Sequence, residues 1–395
     1  MSILIPSVIG VALIVAFVAW ERVLARASRR VDPPRQKLWH YPSVSVIRPV
    51  RGADVGAREN FEAALDTGYP GDVETLFVFD DESDPGLPIA REVVRAHARS
   101  GKPGRAVVLV AGAPPPARTG KLNAMIVGAA RAHGSLIAFG DSDTRPDREL
   151  LRELVETLMT SRRAGSAFAP VVIDDAPRAA GDVLYALMQN ALYAPLAARA
   201  AARDDGALPF IMGQIMVFKR EALDAIGGVQ CATGQLVDDM YLGRQVAAVG
   251  YRNILVKRGL KVPTGGLDLA AFLPVYRRWM AFSRNGLPIS FTWPQWLLGG
   301  GFFVALATAV VAGLSSAPLG MIAPALAVGV FTATLLRLNR LYGGASVPLV
   351  YAWTPAALLL LSPFVLASTL LNKRVGWRGR TYDVDASAAL AVGHG

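Results

Sequence analysis

Leu136-Ile137-Ala138-Phe139-Gly140-Asp141-Ser142-Asp143 decides how the middle of this chain is read. Residues 136–139 have the apolar, β-branched character of a short strand, and glycine and aspartates end it at once. Working outward, residues 44–47, 75–79, 106–110 and 167–173 read as further strands. Residues 58–65, 89–100, 122–132 and 148–161 read as the helices between them. Strands alternating with helices from about residue 42 to 263 predict an α/β domain with a largely parallel, Rossmann-like sheet. Ligands of such sheets bind beyond the carboxyl ends of the strands, so acidic residues there mark where to look for chemistry. The 75–79 strand ends in the same way, in Asp80-Asp81-Glu82-Ser83-Asp84.

An Asp-x-Asp at a strand end supplies the carboxylates that a hard divalent cation takes together with phosphate oxygens. Such a cation aids the departure of a diphosphate, the leaving group of a nucleotide-sugar donor. On this reading Asp143 is the more direct ligand of metal and diphosphate, and Asp141 lies nearer the sugar or ribose. Alone, the triplet fits a solvated turn before Pro146 equally well. Four further elements bear on the choice. A carboxylate of the Asp80-Asp81 cluster can hydrogen-bond a uracil or ribose. Arg118-Thr119-Gly120-Lys121-Leu122-Asn123 opens a helix and carries Lys121 toward a diphosphate. Leu236-Val237-Asp238-Asp239-Met240 offers Asp239 as the general base that deprotonates an acceptor hydroxyl. Tyr276-Arg277-Arg278-Trp279, followed by Arg284, combines phosphate-binding arginines with an interfacial tryptophan. Each also has a plainer reading: acidic loop, cationic helix start, helix cap, juxtamembrane anchor. Their ordered co-occurrence selects a donor site.

Of the 395 residues, 52% are hydrophobic, too many for an ordinary soluble domain, and they gather at the two ends. Residues 3–20 form an uncharged run of spanning length without a charged leader or a small-residue cleavage site, so it reads as a retained anchor. Arg22, Arg26, Arg29 and Arg30 follow it, which by the positive-inside rule places the α/β domain in the cytosol, and the expected location is the inner (cytoplasmic) membrane. Residues 296–314, 319–336 and 347–371 are three more apolar stretches; Pro355 and Pro363 interrupt the last. Three full crossings would put the basic tail, Lys373, Arg374, Arg378 and Arg380, on the far side, against the same rule. The expected organisation is an anchor with basic flank (1–30), an α/β domain (31–266), an interfacial amphipathic segment carrying Arg278-Trp279 (267–295), about three membrane helices (296–372) and a basic tail (373–395). A net charge of +10 suits an anionic leaflet and an anionic substrate, and equally well plain topology signalling. No basic stripe interleaved with aromatics speaks for nucleic acid. Cys231 is the one cysteine, and His40, His97, His133 and His394 are too scattered for a zinc site.

The chain resembles the membrane-bound family 2-type glycosyltransferases, and within them the ceramide glucosyltransferase-like branch, family 21; it is similar also to hopanoid-associated glycosyltransferases. The resemblance runs through 42–49, Tyr69-Pro70, Asp81 with Asp84-Pro85, Lys121 and Asn123, Asp141-Ser142-Asp143, Met212-Gly213-Gln214, Gly227-Gly228, Asp238-Asp239, Arg278-Trp279 and Trp377-Arg378-Gly379. It implies a GT-A fold, a UDP-sugar donor, Mg2+ or Mn2+, and inversion at the anomeric carbon. It places the family's three aspartates on Asp81, Asp141 and Asp239, with metal contact at Asp143. Two positions depart from the pattern. Val275 stands where the arginine-tryptophan motif opens with Gln or Arg, which weakens the diphosphate contact there. Asp238 stands where Glu is common.

A cytosol-facing site predicts a lipid acceptor in the same bilayer. Ceramide or another sphingoid lipid comes first, a hopanoid next, then polyprenyl phosphate or diacylglycerol. Residues 183–202 and 272–291 are expected to form the floor against the membrane. A processive polysaccharide synthase is the enzymatic rival, disfavoured by Val275 and by the small number of spans. A non-catalytic nucleotide-sugar-binding subunit is the contrasting class, and it would be expected to have lost a carboxylate.

Overall fold

The computed structural model describes residues 3–31, 36–315, 318–383 and 390, and of Asn285 the backbone alone. His394 and the end of the basic tail lie outside the described residues. Helix α1 (Leu4–Arg30) leads into strand β1 (Val44–Val50), and α2 (Ala57–Leu65), β2 (Val73–Phe79), α3 (Leu87–Arg99), β3 (Arg105–Val110), α4 (Gly120–Arg131), β4 (Leu136–Gly140) and α5 (Leu150–Thr160) follow in strict alternation. The short strands β5 (Ala164–Phe168) and β6 (Val171–Val172) come next. After them run α6 (Ala180–Ala186), a π-helical turn (Leu187–Tyr193) and α7 (Ala194–Ala201). Then come β7 (Ala207–Leu208), β8 (Ile215–Lys219), α8 (Arg220–Ala225), α9 (Asp238–Ala248), β9 (Arg252–Leu255) and β10 (Leu260–Lys261).

The main sheet has the order β3-β2-β1-β4-β8-β5-β9-β7. Its first half is parallel: Val44 pairs with Val73 on one side and Leu136 on the other, and Thr75 pairs with Ala106. Every residue of β4 is buried, as expected of a strand covered by helices on both faces. The order reverses between β1 and β4, so a crevice opens beyond their carboxyl ends, where Val50-Arg51 and Gly140-Asp141 meet. The second half departs from the expected parallel pattern, because β8 runs antiparallel to both β4 and β5. The single strand expected over 167–173 is in fact two. β5 ends at Phe168, and β6 leaves the sheet to pair with β10.

Four helices are long and apolar enough to cross a membrane, one N-terminal and three C-terminal, and they mark the chain as a membrane protein. They are α1, α11 (Ile289–Gly313), α12 (Ile322–Leu341, with a preceding turn from Pro318) and α13 (Thr354–Leu371); α10 (Leu269–Gly286) precedes them. The break between α10 and α11 falls at Leu287-Pro288, earlier than the boundary at 296. Phe17 of α1 packs edge-on against Phe331 of α12 at 4.8 Å between ring centres. Gly10 lies so close to α12 that a Cβ there would fall 2.4 Å from the backbone at Ala323-Pro324.

Residues 183–202 are a seam more than a floor. Leu184, Leu187, Met188 and Ala197 are fully buried; Arg199 stacks on Trp20 of α1 at 4.7 Å, and Asn190 Nδ2 donates to Asn339 Oδ1 of α12 at 2.9 Å. These contacts fasten the α/β domain to the apolar helices. Both ends of α13 return to the domain. Tyr351 Oη donates to Arg178 O at 3.2 Å before the helix starts, and Arg277 Nη2 donates to Asn372 O at 2.6 Å after it ends. The tail then folds into a hairpin, β11 (Arg374–Trp377) and β12 (Arg380–Asp383), on the same face as the carboxyl ends of the strands. The described part of the basic tail thus packs against the α/β domain.

Candidate active site

The Asp-Ser-Asp loop is shaped from below by a buried arginine. Arg48 of β1 is 1% exposed and donates through Nη2 to Asp141 O at 2.5 Å and to Thr144 O and Oγ1 at 3.0 Å each. Burial lowers its pKa to about 10, against the pull of Asp141 and Asp143. Asp141 N donates to Gln214 O at 2.9 Å, and Thr144 Oγ1 closes the turn on Asp141 O at 2.7 Å. A turn with its carbonyls held in this way presents both aspartates to the crevice.

Lys121 does not reach outward. Thr119 caps α4 by accepting from Leu122 N, and the next turn sends Lys121 Nζ to Asp141 Oδ1 at 2.7 Å and to within 3.9 Å of Asp238 Oδ1. Burial works against its charge, but Asp141, Asp238 and Asp239 overcome it and raise the pKa. The expected approach to a diphosphate is thus replaced by neutralisation of Asp141, whose own carboxyl burial pushes up and Lys121 pulls down.

Asp143 differs from Asp141. Its Oδ2 lies 3.2 Å from Arg378 Nη2, and its Oδ1 is buried without a hydrogen-bond partner. Ser142 Oγ donates to Asp54 Oδ2 at 2.7 Å, which brings a third carboxyl group to the loop. Burial, and then Asp143, push Asp54 above the usual carboxylate range. An orphaned oxygen amid crowded carboxylates is what a hard cation would relieve. Among the described residues no three metal-binding side chains converge, so such an ion would take one or two carboxylates and complete its shell from phosphate oxygens and water. The residues fit Mg2+ or Mn2+ held chiefly by Asp143.

Asp239 stands on the facing wall, in the first turn of α9. Gly213 N donates to its Oδ2 at 2.5 Å. A Cβ on Gly213 would fall 2.6 Å from the Asp239 Cβ, so glycine is needed for this approach. Asp238 beside it is 2% exposed; burial first, then Asp239 and Asp141, raise its carboxyl to about 6, against Lys121. Arg278 and Trp279 of α10 line the pocket. Trp279 packs on Tyr193 at 5.3 Å, and burial lowers the Arg278 pKa. The π-helical turn supplies Gln189 and Tyr193 to the same pocket, and such turns recur at functional sites.

The structure therefore brings Asp141, Asp143, Asp239, Lys121, Arg278 and Trp279 into one pocket, and it leaves Asp81 out. Asp81 is exposed and folds onto its own turn, accepting from Ser83 N at 2.9 Å and Ser83 Oγ at 2.6 Å. Those bonds, the hydroxyl first, hold it below the usual carboxylate range. Its neighbour Asp80 is 3% exposed and lines the pocket, accepting from Arg51 Nη1 at 2.6 Å and Arg380 Nη1 at 2.7 Å. Sequence reasoning offered the Asp80-Asp81 cluster, from which the resemblance chose Asp81, and it missed Asp54, Arg51 and the role of Arg48. It also gave Arg378 no role, although Trp377-Arg378-Gly379 stood out as a motif. Val275 does not line the pocket.

A doubly covered sheet with this switch point and this carboxylate pocket defines a glycosyltransferase of the GT-A fold. The particular family follows from comparison: residues 6–390 match glycosyl transferase family 21, and the chain belongs to that family. It is 23% identical over 347 residues to ceramide glucosyltransferase 3 of Caenorhabditis elegans, an alignment covering 86% of this chain and 72% of that one. It is 22% identical over 283 residues to ceramide glucosyltransferase 1 of the same organism, covering 71% and 57%. Among solved structures, a mannosyltransferase from Pyrobaculum calidifontis in complex with GDP-Man and Mn2+ shares the fold, with a TM-score of 0.53, 19% identity, and coverage of 91% of this chain and 99% of that one.

Proposed function

We propose that the protein transfers a hexose from a UDP-sugar, with inversion, to the hydroxyl of a membrane lipid, ceramide or another sphingoid lipid first among them. One observation carries this reading: the orphaned Asp143 oxygen and the Asp239 carboxylate face a single pocket whose wall is α10, the helix that leads into the apolar bundle. The ceramide glucosyltransferases among its relatives support the lipid acceptor.

Asp143 would hold Mg2+ or Mn2+, whose charge eases the departure of the diphosphate. Arg278 binds a phosphate in fork geometry, its ring neighbour Trp279 being fixed by Tyr193. Asp141, neutralised by Lys121, accepts hydrogen bonds from the sugar or ribose without repelling the incoming anion. Asp239, oriented by Gly213 N, takes the proton of the acceptor hydroxyl as that oxygen forms its bond to the anomeric carbon from the face opposite the diphosphate. The lipid reaches the pocket along α10, and the arginines that close α1 support a cytosol-facing site at the inner membrane.

The test is to express the chain in a host that makes no glycolipids and to take mass spectra of the extracted lipids. A new hexosyl lipid is expected with the wild type and is lost with Asp239→Asn, which keeps its UDP affinity. Asp143→Ala is expected to lose Mn2+-dependent UDP binding. A soluble polymer in place of a hexosyl lipid would refute the lipid acceptor.

A further inference from the structure

We propose that the C-terminal hairpin is the second half of the diphosphate site: Arg378, with Arg380 beside it, binds the donor's diphosphate. The inference rests on the nucleotide-diphosphate reading above. It concerns residues 235 positions or more beyond the Asp-Ser-Asp loop.

The hairpin is built into the pocket. Trp377, Arg378, Arg380 and Tyr382 all line it. Trp377 packs edge-on to Phe282 of α10 at 6.1 Å, and Gly120 N, at the start of α4, donates to Tyr382 Oη at 3.4 Å. The backbone is latched to the end of β1 in both directions. Arg51 Nε donates to Arg378 O at 2.6 Å, and Arg378 Nη1 donates to Arg51 O at 3.1 Å. From α10, Arg277 Nη1 donates to Arg374 O at 2.8 Å. Arg277 thus grips the base of the hairpin while Arg278, the next residue, faces the pocket.

Arg378 sits in a conformation that arginine does not favour. Trp377 pairs with Arg380, leaving Arg378-Gly379 as a two-residue turn with φ of 51° and 75°. Both residues of such a turn need left-handed backbone, which Asn-Gly adopts readily and a long side chain does not. Left-handed backbone outside glycine tends to be kept where a side chain has a task. Here the turn aims the guanidinium at Asp54, with which it pairs, and at Asp143 Oδ2, 3.2 Å away. Arg380 follows at 2.7 Å from Asp80 Oδ2.

Beside Arg278, which faces the same pocket, the neighbouring cations Arg48 and Lys121 are already committed. Arg48 holds backbone carbonyls of the loop and Lys121 neutralises Asp141. Arg378 and Arg380 sit 30% and 24% exposed at the rim, on carboxylates. A diphosphate entering beside Asp143 meets both guanidiniums in reach of its oxygens. Planar forks of this kind suit phosphate better than a point charge does.

The experiment compares UDP, UMP and uridine binding to the detergent-solubilised full chain with Mn2+, by calorimetry, for wild type, Arg378→Gln, Arg380→Gln and Arg378→Lys. Thermal unfolding of each is followed alongside. Arg378→Gln is expected to weaken UDP at least tenfold, Arg380→Gln severalfold, with uridine affinity unchanged and partial recovery in Arg378→Lys. UDP affinity within twofold of wild type in both Gln variants would overturn the inference and leave the donor reading standing. An equal loss for UDP, UMP and uridine with a fallen melting temperature would also overturn it, making the hairpin a strut. A wild-type chain that binds no UDP would refute the UDP-donor reading itself.

Discussion

Replacing Asp238 by Asn is expected to stabilise this enzyme at neutral pH and to leave its stability unchanged in acid. Asp238 is 2% exposed, and burial first, then Asp239 and Asp141, raise its carboxyl from the ordinary 3.8 to about 6. Because the folded value lies above the unfolded one, the native state holds a proton that the unfolded chain releases. The stabilisation is complete below about pH 4 and is lost as pH rises through about 6. At ~1.4 kcal/mol for each tenfold step, ionising Asp238 in the fold costs about 3 kcal/mol by pH 7. Asn keeps the shape and can still accept from Asp239 N, the bond Asp238 Oδ1 makes at 2.8 Å, but it carries no charge. For a catalytic domain of this size the gain corresponds to about 6 °C in melting temperature. The assay is thermal unfolding in detergent, at one scan rate, from pH 4 to 8. The two proteins should melt together at pH 4 and separate between pH 4 and 7, the variant above. A constant offset across the whole range would refute the reasoning.

Two further substitutions probe the scaffold. Arg48→Met keeps the bulk but takes the guanidinium from the Thr144 carbonyl and leaves Asp141 O to Thr144 Oγ1; at about 1–3 kcal/mol for an orphaned buried group, the domain should melt a few degrees lower and lose UDP affinity, both measured on the same preparation. Gly10→Leu should separate α1 from α12, whose backbone lies 2.4 Å from the added Cβ, seen as loss of the monodisperse peak in size-exclusion chromatography. Gly329→Leu, where a Cβ meets nothing within 4 Å, should leave that peak intact.

Much of the fold was legible because its causes are local. The apolar runs that end in Asp80-Asp81 and Asp141-Ser142-Asp143 became β2 and β4, and the apolar stretches at both ends became helices long enough to cross a membrane. Alternation and apolar length depend on a few neighbouring residues, so a single sequence reports them. The antiparallel strand β8 was not legible, since nothing in Ile215–Lys219 says which strands it will join. Nor was the choice between Asp80 and Asp81. It depends on which of two adjacent carboxylates follows the strand inward and which turns back on Ser83.

The sequence by itself determined the chemistry on offer: paired carboxylates at strand ends, Asp238-Asp239 at a helix start, and Arg278-Trp279 where the apolar segments begin. Tertiary structure alone decided how those groups are spent. It set Lys121 against Asp141, left one oxygen of Asp143 without a partner, and carried Arg378 back across the length of the chain to face it. Residue types and helix or strand periods are written within a few residues. A charge's partner is set by which segments the closed fold brings within a few ångströms, and that distance has no local record.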